Sequence, residues 1–280
     1  MDEAKKHFPD QGKSTMELDE QFTTEISERR RQLSGSGEIL KTPERLSFPA
    51  LVEKMSQPEP DEQRAEREGI EARMALSRQR AERQGWLAKL IEAVGPAYGE
   101  CTLDSFAATS ERQRRVVAAL REYAADCVDL IGQRTGLVFF GPVGTGKDHL
   151  AFAVCREAIA AGRSVTWING QSWFGELRDN MDRGQPEKMA VSVLCRGSIL
   201  TISDPLPPVG DLTQYQQTML YRVVERRYSL GLATFVTANV ADDAEAHRRL
   251  GVPTWDRLCH GAWKLHCAWP SHRKPARDIR

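Results

Sequence analysis

A strand, a glycine-rich turn and a helix in immediate succession constrain this chain more than any other feature. "GLVFF" at 136–140 is a short apolar run of the kind that fills a buried strand. "GPVGTGK" follows at 141–147, and a helical stretch from Lys147 is closed by Gly162. Glycines let the backbone curl until successive N–H groups face one point, as phosphate oxygens require. The helix N-terminus adds its positive dipole there, and lysine a full charge. Gly141, Pro142, Val143, Gly144, Thr145, Gly146 and Lys147 are therefore the expected phosphate-binding loop, with Asp148 and His149 opening the helix behind it. A chance glycine turn is the competing explanation, and the agreement of strand, loop, lysine and helix argues against it. One residue departs from the pattern. The position after the lysine is normally Ser or Thr, whose hydroxyl meets Mg²⁺, and here it is Asp148.

Around this unit the chain alternates. "SVTWI", "SILTI", "ATFVTAN" and "WKLHCAW" read as further strands, separated by helical stretches at 171–196, 213–229, 243–250 and 254–262. Such alternation predicts an α/β fold, a mainly parallel five-stranded sheet flanked by helices. Upstream, Thr109 or Ser110 caps a helix whose apolar face runs Val116, Val117, Leu120, Tyr123, Ala124, Cys127, Val128 and Ile131. The run Trp86, Leu87, Leu90, Ile91, Val94 is stopped by Gly95-Pro96. Before it, 61–84 has good helix formers and only a thin apolar stripe, which predicts a solvated or partner-dependent helix. Residues 1–60 are polar and interrupted by "SGSG" and "QPEP". Helix openings at "TPERL" and "SFPALVEKM" apart, they read as weakly ordered. The expected division is a charged, helical or partly disordered extension over 1–85, a nucleotide-binding domain over 86–273 and a basic tail over 274–280.

A phosphate loop needs an acidic strand end across from it. "ILTISDPLP" is the candidate, and two registers fit. In the preferred one the strand ends at Ile202, Ser203 stands in the first acidic position and Asp204 in the second. In the other, Asp204 is the metal-side acid and Pro205 replaces the catalytic one. An ordinary strand-to-loop exit is the plain alternative. Asn239, ending "ATFVTAN", can hold a water near a γ-phosphate, although a lone Asn at a strand end is more often a turn former. Under the first register Asp148 and Ser203 have exchanged the carboxylate and the hydroxyl of an ordinary site. Asp148, Ser203 and Asp204 are then the candidate Mg²⁺ oxygens.

Taken in order, "CTLDSF", "GPVGTGKDHLA", "SDP" before "LTQYQQTMLYRVVERRY", "VTAN", "WDRL" and "WPSHR" resemble the DnaC/IstB group of AAA+ ATPases, the helicase loaders and transposition helpers. The resemblance covers about 86–273. It implies an AAA+ P-loop NTPase with ATP and Mg²⁺ as cofactors and assembly into a homo-oligomer in the ATP state. Implied partners are a replicative helicase or a transposase, and single-stranded DNA. By the same resemblance Asn239 is the sensor asparagine, Arg257 an arginine finger acting on a neighbouring subunit and Arg273 a second phosphate sensor. Asp204, Asn239 and Arg257 are thus the expected catalytic set. Out of context Arg257 reads as a surface salt bridge. The helical insertion "NGQSWFGELRDNMDR" corresponds to a stretch that touches DNA in such proteins, and offers Trp173, Phe174, Arg178 and Arg183. Packing of the two aromatics in the core is the alternative. An adaptor that binds ATP but turns it over weakly is the second functional reading, motivated by Asp148 and Ser203.

Net charge is zero, yet residues 1–70 hold 11 Lys/Arg against 16 Asp/Glu and residues 247–280 hold 8 against 2. The basic end suits phosphates, and a solvated face explains it equally. Six scattered cysteines without metal-like spacing read as reduced thiols. No run of about 18 apolar residues exists, and "MDEAKKHFPD" lacks the apolar core of a signal peptide. A cytoplasmic protein is the expectation.

Overall fold

The computed structural model describes residues 61–273. Contacts divide the chain between Ala65 and Glu66, and the second unit carries the sheet. The helix openings expected at "TPERL" and "SFPALVEKM", and the basic tail over 274–280, lie outside the described residues.

Helix α1 spans Asp61–Val94, and Leu90 is its buried residue. Residues 61–82 are exposed throughout, as the thin apolar stripe dictates. A 3₁₀ turn at Pro96–Tyr98 leads to α2, Glu111–Ala125. Ser110 caps α2, and Gln113 returns the bond to the Ser110 backbone. The expected single helix to Gly132 breaks at Asp126, and α3 covers Cys127–Gly132. Then follow β1 (Leu137–Phe140), α4 (Lys147–Ala160), β2 (Val165–Asn169), α5 (Gly170–Asp182), α6 (Glu187–Val193) and β3 (Ile199–Ser203). The chain continues with α7 (Gln214–Ser229), β4 (Ala233–Ala238), α8 (Asp243–Leu250), α9 (Val252–Cys259) and β5 (Trp263–His266).

The strands form one parallel sheet in the order β2-β3-β4-β1-β5. Interior parallel strands are covered on both faces, so β1 and β3 are buried at every position, whereas the edge strands β2 and β5 are only partly so. Side chains alternate across the pleat. Leu137 and Phe139 join the core with Leu120, Tyr123, Leu150 and Phe152, and Val138 and Phe140 join the opposite core with Leu177, Met219, Val223 and Trp255. Residues of β3 and β4 with the parity of Ile199 and Phe235 therefore face α4, and that parity ends at Ser203 and Thr237.

The insertion aromatics belong to this packing. Trp173 and Phe174 are 5% and 6% exposed within the second core, so neither is free to stack on a base. Arg178 and Arg183 are exposed. Asn169 caps α5 by accepting from the Ser172 N–H, and Trp173, Phe174 and Leu177 form the buried stripe of that helix.

Candidate nucleotide-binding site

The loop between β1 and α4 is held in place by its neighbours. Gly144 and Gly146 have φ of 77° and 85°, a region that disfavours any side chain. Space is denied as well. A Cβ on Gly144 would lie 2.2 Å from Ser271 Oγ, one on Gly146 2.7 Å from Phe106, and one on Gly141 2.6 Å from the Cys267 carbonyl. The segment after β5 is strapped on by His272 N–H to Gly144 O at 2.9 Å and Trp269 Nε1–H to Thr145 O at 2.8 Å. Thr145 is fully buried and donates to Pro142 O.

Lys147 Nζ donates to Gly141 O at 2.9 Å and Pro142 O at 2.7 Å. An ammonium has three hydrogens, and the third has no partner among the described residues. Burial pushes this ammonium below the usual lysine range, opposed by the charges of Asp148 and Asp204.

Asp148 sits in the first turn of α4, where the helix dipole favours a carboxylate. Its Oδ1 accepts from Ser203 Oγ at 3.0 Å and from Thr237 Oγ1 at 2.6 Å. Oδ2 has no hydrogen bond among the described residues. Ser203 is the last residue of β3 and Asp204 the first beyond it. Asp204 has φ of 47°, a conformation that Asp tolerates better than most residues. Asn239 Nδ2 donates to Asp204 Oδ1. Burial raises the Asp204 carboxyl above the usual range and the charge of Asp148 adds to this, while Lys147 and the Asn239 bond oppose it.

These groups line one cavity of about 490 Å³ with Tyr98, Val143, His149, Arg249 and Arg273. His149 is anchored by its Nε2 contact to Thr102 O at 2.9 Å and by the edge-on ring of Phe106. Arg249 donates to Asn239 O at 3.2 Å and to Pro207 and Gly210 carbonyls. Arg257 is elsewhere. It pairs with Glu225, lies over the Tyr221 ring at 5.0 Å and borders a small cavity with Gly136 and Thr234, at the opposite, N-terminal end of the strands. Of the expected residues, Lys147, Asp148, His149, Asp204, Asn239 and Arg273 come together around the larger cavity, and Ser203 reaches it through Asp148.

Thr237, Arg249 and Tyr98 escaped the sequence reading. The period-two spacing of Phe235, Thr237 and Asn239 was the available signal for Thr237. Nothing in "HRRLG" distinguishes Arg249 from its neighbour.

The residues fit a Mg²⁺-bound triphosphate. The cavity has the size of a small-molecule site, one lysine hydrogen is unused, and a carboxylate oxygen is left open beside it, a hard ligand of the kind Mg²⁺ prefers. A parallel sheet in this strand order, with a glycine loop and lysine at the C-terminal end of β1 and polar residues closing the two strands beside it, β4 and β3, defines an AAA+ P-loop nucleoside triphosphatase fold. The chain belongs to the IstB-like ATP binding protein family, whose profile matches residues 72–278. It is 26% identical over 185 residues to the replicative helicase loader DnaC of Escherichia coli K12, covering 64% of this chain and 72% of that one. Among solved structures, the DnaC helicase loader superposes with a TM-score of 0.53 at 21% identity, over 61% of this chain and 98% of the other. DnaI superposes at 0.50 with 17% identity, over 62% and 91%. These structures share the fold. Among the described residues no metal-like cluster of His, Cys, Asp or Glu occurs, and no helix is long and apolar enough to cross a membrane.

Proposed function

We propose that this chain is an ATPase that binds Mg²⁺-ATP in the cavity behind Gly141–Lys147 and uses its turnover to load or remodel a protein partner on DNA. One observation carries the reading: Asn239 bonds Asp204 at adjoining strand ends, on the same cavity as the Lys147 ammonium. A water bound beside this pair would be oriented by the remaining amide hydrogen of Asn239 and would pass its proton toward the free oxygen of Asp204, the water positioning that γ-phosphate hydrolysis uses. Lys147 and Arg273 supply positive charge for the phosphates. When bound, Mg²⁺ neutralises the phosphate oxygens, and Asp148 and Asp204 are the oxygens that would hold it. Arg257 is absent from its own chain's cavity, which supports a role toward a second copy. A replicative helicase or a transposase is the partner class, from the loaders this chain is similar to, and exposed Arg178 and Arg183 are candidates for single-stranded DNA phosphates.

The experiment is nucleotide-dependent mass measurement with an ATPase assay, with and without single-stranded DNA. Oligomers in ATP, turnover stimulated by DNA, and loss of turnover in Asp204→Asn and Asn239→Ala are expected. DNA affinity should fall steeply with salt if phosphates are the contact. Absence of turnover at every protein concentration overturns the ATPase. Nucleotide binding without turnover, and a partner captured only in ATP, would favour the second reading, an ATP-sensing adaptor. Ser203 in the place of an acidic residue is the observation behind it.

A further inference from the structure

We infer that Thr237 is the positioning residue of the metal side of this site: with Ser203 it fixes Asp148 Oδ1, so that Oδ2 is the oxygen offered to a divalent cation. The inference rests on the reading of the cavity as a Mg²⁺-ATP site and adds a residue that the loop and acidic-strand motifs do not contain.

Ser203 and Thr237 are register partners on neighbouring parallel strands. Adjacent strands lie about 4.8 Å apart, a gap that a single acceptor oxygen placed between two hydroxyls can bridge. Asp148 Oδ1 is that oxygen, at 3.0 and 2.6 Å. The two hydroxyl residues are 4% and 1% exposed, so water does not compete for their protons. A carboxylate with both hydrogen bonds on one oxygen cannot rotate without breaking them. Its second oxygen, unbonded among the described residues, then has a fixed direction on the cavity that Asp148 lines.

Thr237 also reaches the other acid. The Asp204 N–H donates to Thr237 O at 3.0 Å and approaches Thr237 Oγ1 at 3.3 Å. One threonine thus sets the carboxylate at the start of α4 and the turn, with φ of 47°, that carries Asp204. In a site with a hydroxyl after the lysine, no such clamp is needed, because a hydroxyl presents one oxygen. An aspartate presents two. The second hydroxyl, on β4, selects between them.

The test is calorimetric titration of the full-length protein with a non-hydrolysable ATP analogue, in Mg²⁺ and in EDTA, so that turnover plays no part. The quantity read is the ratio of the two affinities. Thr237→Val should leave the EDTA affinity within about twofold of the parent and lower the Mg²⁺ ratio about tenfold or more, the loss typical when a partner orienting a metal ligand is removed. Thr237→Ser should restore the ratio, and Asp148→Asn should abolish it. If Asp148→Asn collapses the ratio while Thr237→Val keeps it, Asp148 is a ligand but Thr237 does not position it, and the inference is overturned. If Asp148→Asn also keeps it, the Mg²⁺ reading of Asp148 has failed. A Thr237→Val protein that loses affinity equally in EDTA has a general structural defect, which likewise overturns the inference. Thr237→Ala, which removes bulk instead of inverting polarity, replaces the valine variant if that one does not fold, with the same expected ratio.

Discussion

Two cations are buried at opposite ends of the strands of the same sheet, Lys147 at 6% exposure and Arg227 at 0%. Arg227 has five N–H donors. They make five hydrogen bonds, to Thr234 Oγ1 and the carbonyls of Leu194, Gly197, Ser198 and Ala233. The guanidinium thereby ties the end of α7 to the turns that enter β3 and β4. Burial pushes its pKa down to about 10, so it stays charged at neutral pH. Lys147 gives two hydrogens to its own loop and keeps one, on a cavity. A saturated buried cation holds a fold together; an unsaturated one beside a cavity is available to a ligand. Composition cannot separate them, and the donor count does.

The strongest way to break this comparison is to delete both charges. Arg227→Met should cost about 4 kcal/mol or more in urea unfolding, since it strands buried carbonyls that no water reaches. Lys147→Met should cost less, about 1–2 kcal/mol, because it leaves two acceptors of one loop without a partner instead of five, while abolishing nucleotide binding. Equal destabilisation by the two would end the distinction.

Arg257 is the third cation of interest, held by one acid, Glu225, and one carbonyl, that of Pro253 in its own helix. Arg257→Ala should leave nucleotide affinity within a few-fold and reduce turnover about 10³-fold, the range for a finger that touches transition-state charge. Mixing it with Lys147→Ala should recover part of the activity, each chain supplying what the other lacks. A dead mixture of proteins that still assemble would remove Arg257 from the neighbour's site.

A smaller effect sharpens the anionic side of the same site. Asp148→Thr combined with Ser203→Asp restores the usual order of hydroxyl and carboxylate. The single changes should each weaken Mg²⁺-nucleotide binding, and the double should recover it, with an interaction energy of about 1–3 kcal/mol. Additive effects would mean that the hydrogen bond between these residues does not matter to the ligand.

The smallest expected effect concerns Asp204, a carboxylate held in a desolvated place beside a second negative charge. Asp204→Asn keeps a residue suited to φ of 47° and removes the charge. Thermal unfolding at pH 7 should show unchanged or slightly higher stability, by about 1 kcal/mol at most, together with loss of turnover, the trade expected at a functional site. A marked loss of stability would make Asp204 structural.

Much of this site was legible in advance. The loop from Gly141 to Lys147 announces itself because its glycines, lysine and helix start are contiguous. Asp204 and Asn239 follow from where apolar strands run into polar residues. Thr237 and Arg249 were not legible. Each is one of several similar residues in its segment, and only its neighbours across the fold distinguish it. Trp173 and Phe174 show the converse, since an aromatic pair in a polar helix fits a surface or a core equally until the helix is docked.

The sequence by itself determined the alternation of strands and helices, the phosphate loop and the burial of β1 and β3, because apolar period, glycine freedom and capping act over a few residues. The lateral order of the strands, and with it the pairing of Ser203 with Thr237 above Asp148, was decided only in the tertiary structure. Each parallel crossover leaves a strand several possible neighbours, and the hydroxyl that clamps Asp148 sits 89 residues away in the chain. Local pattern carries no term for that distance; packing of both sheet faces does.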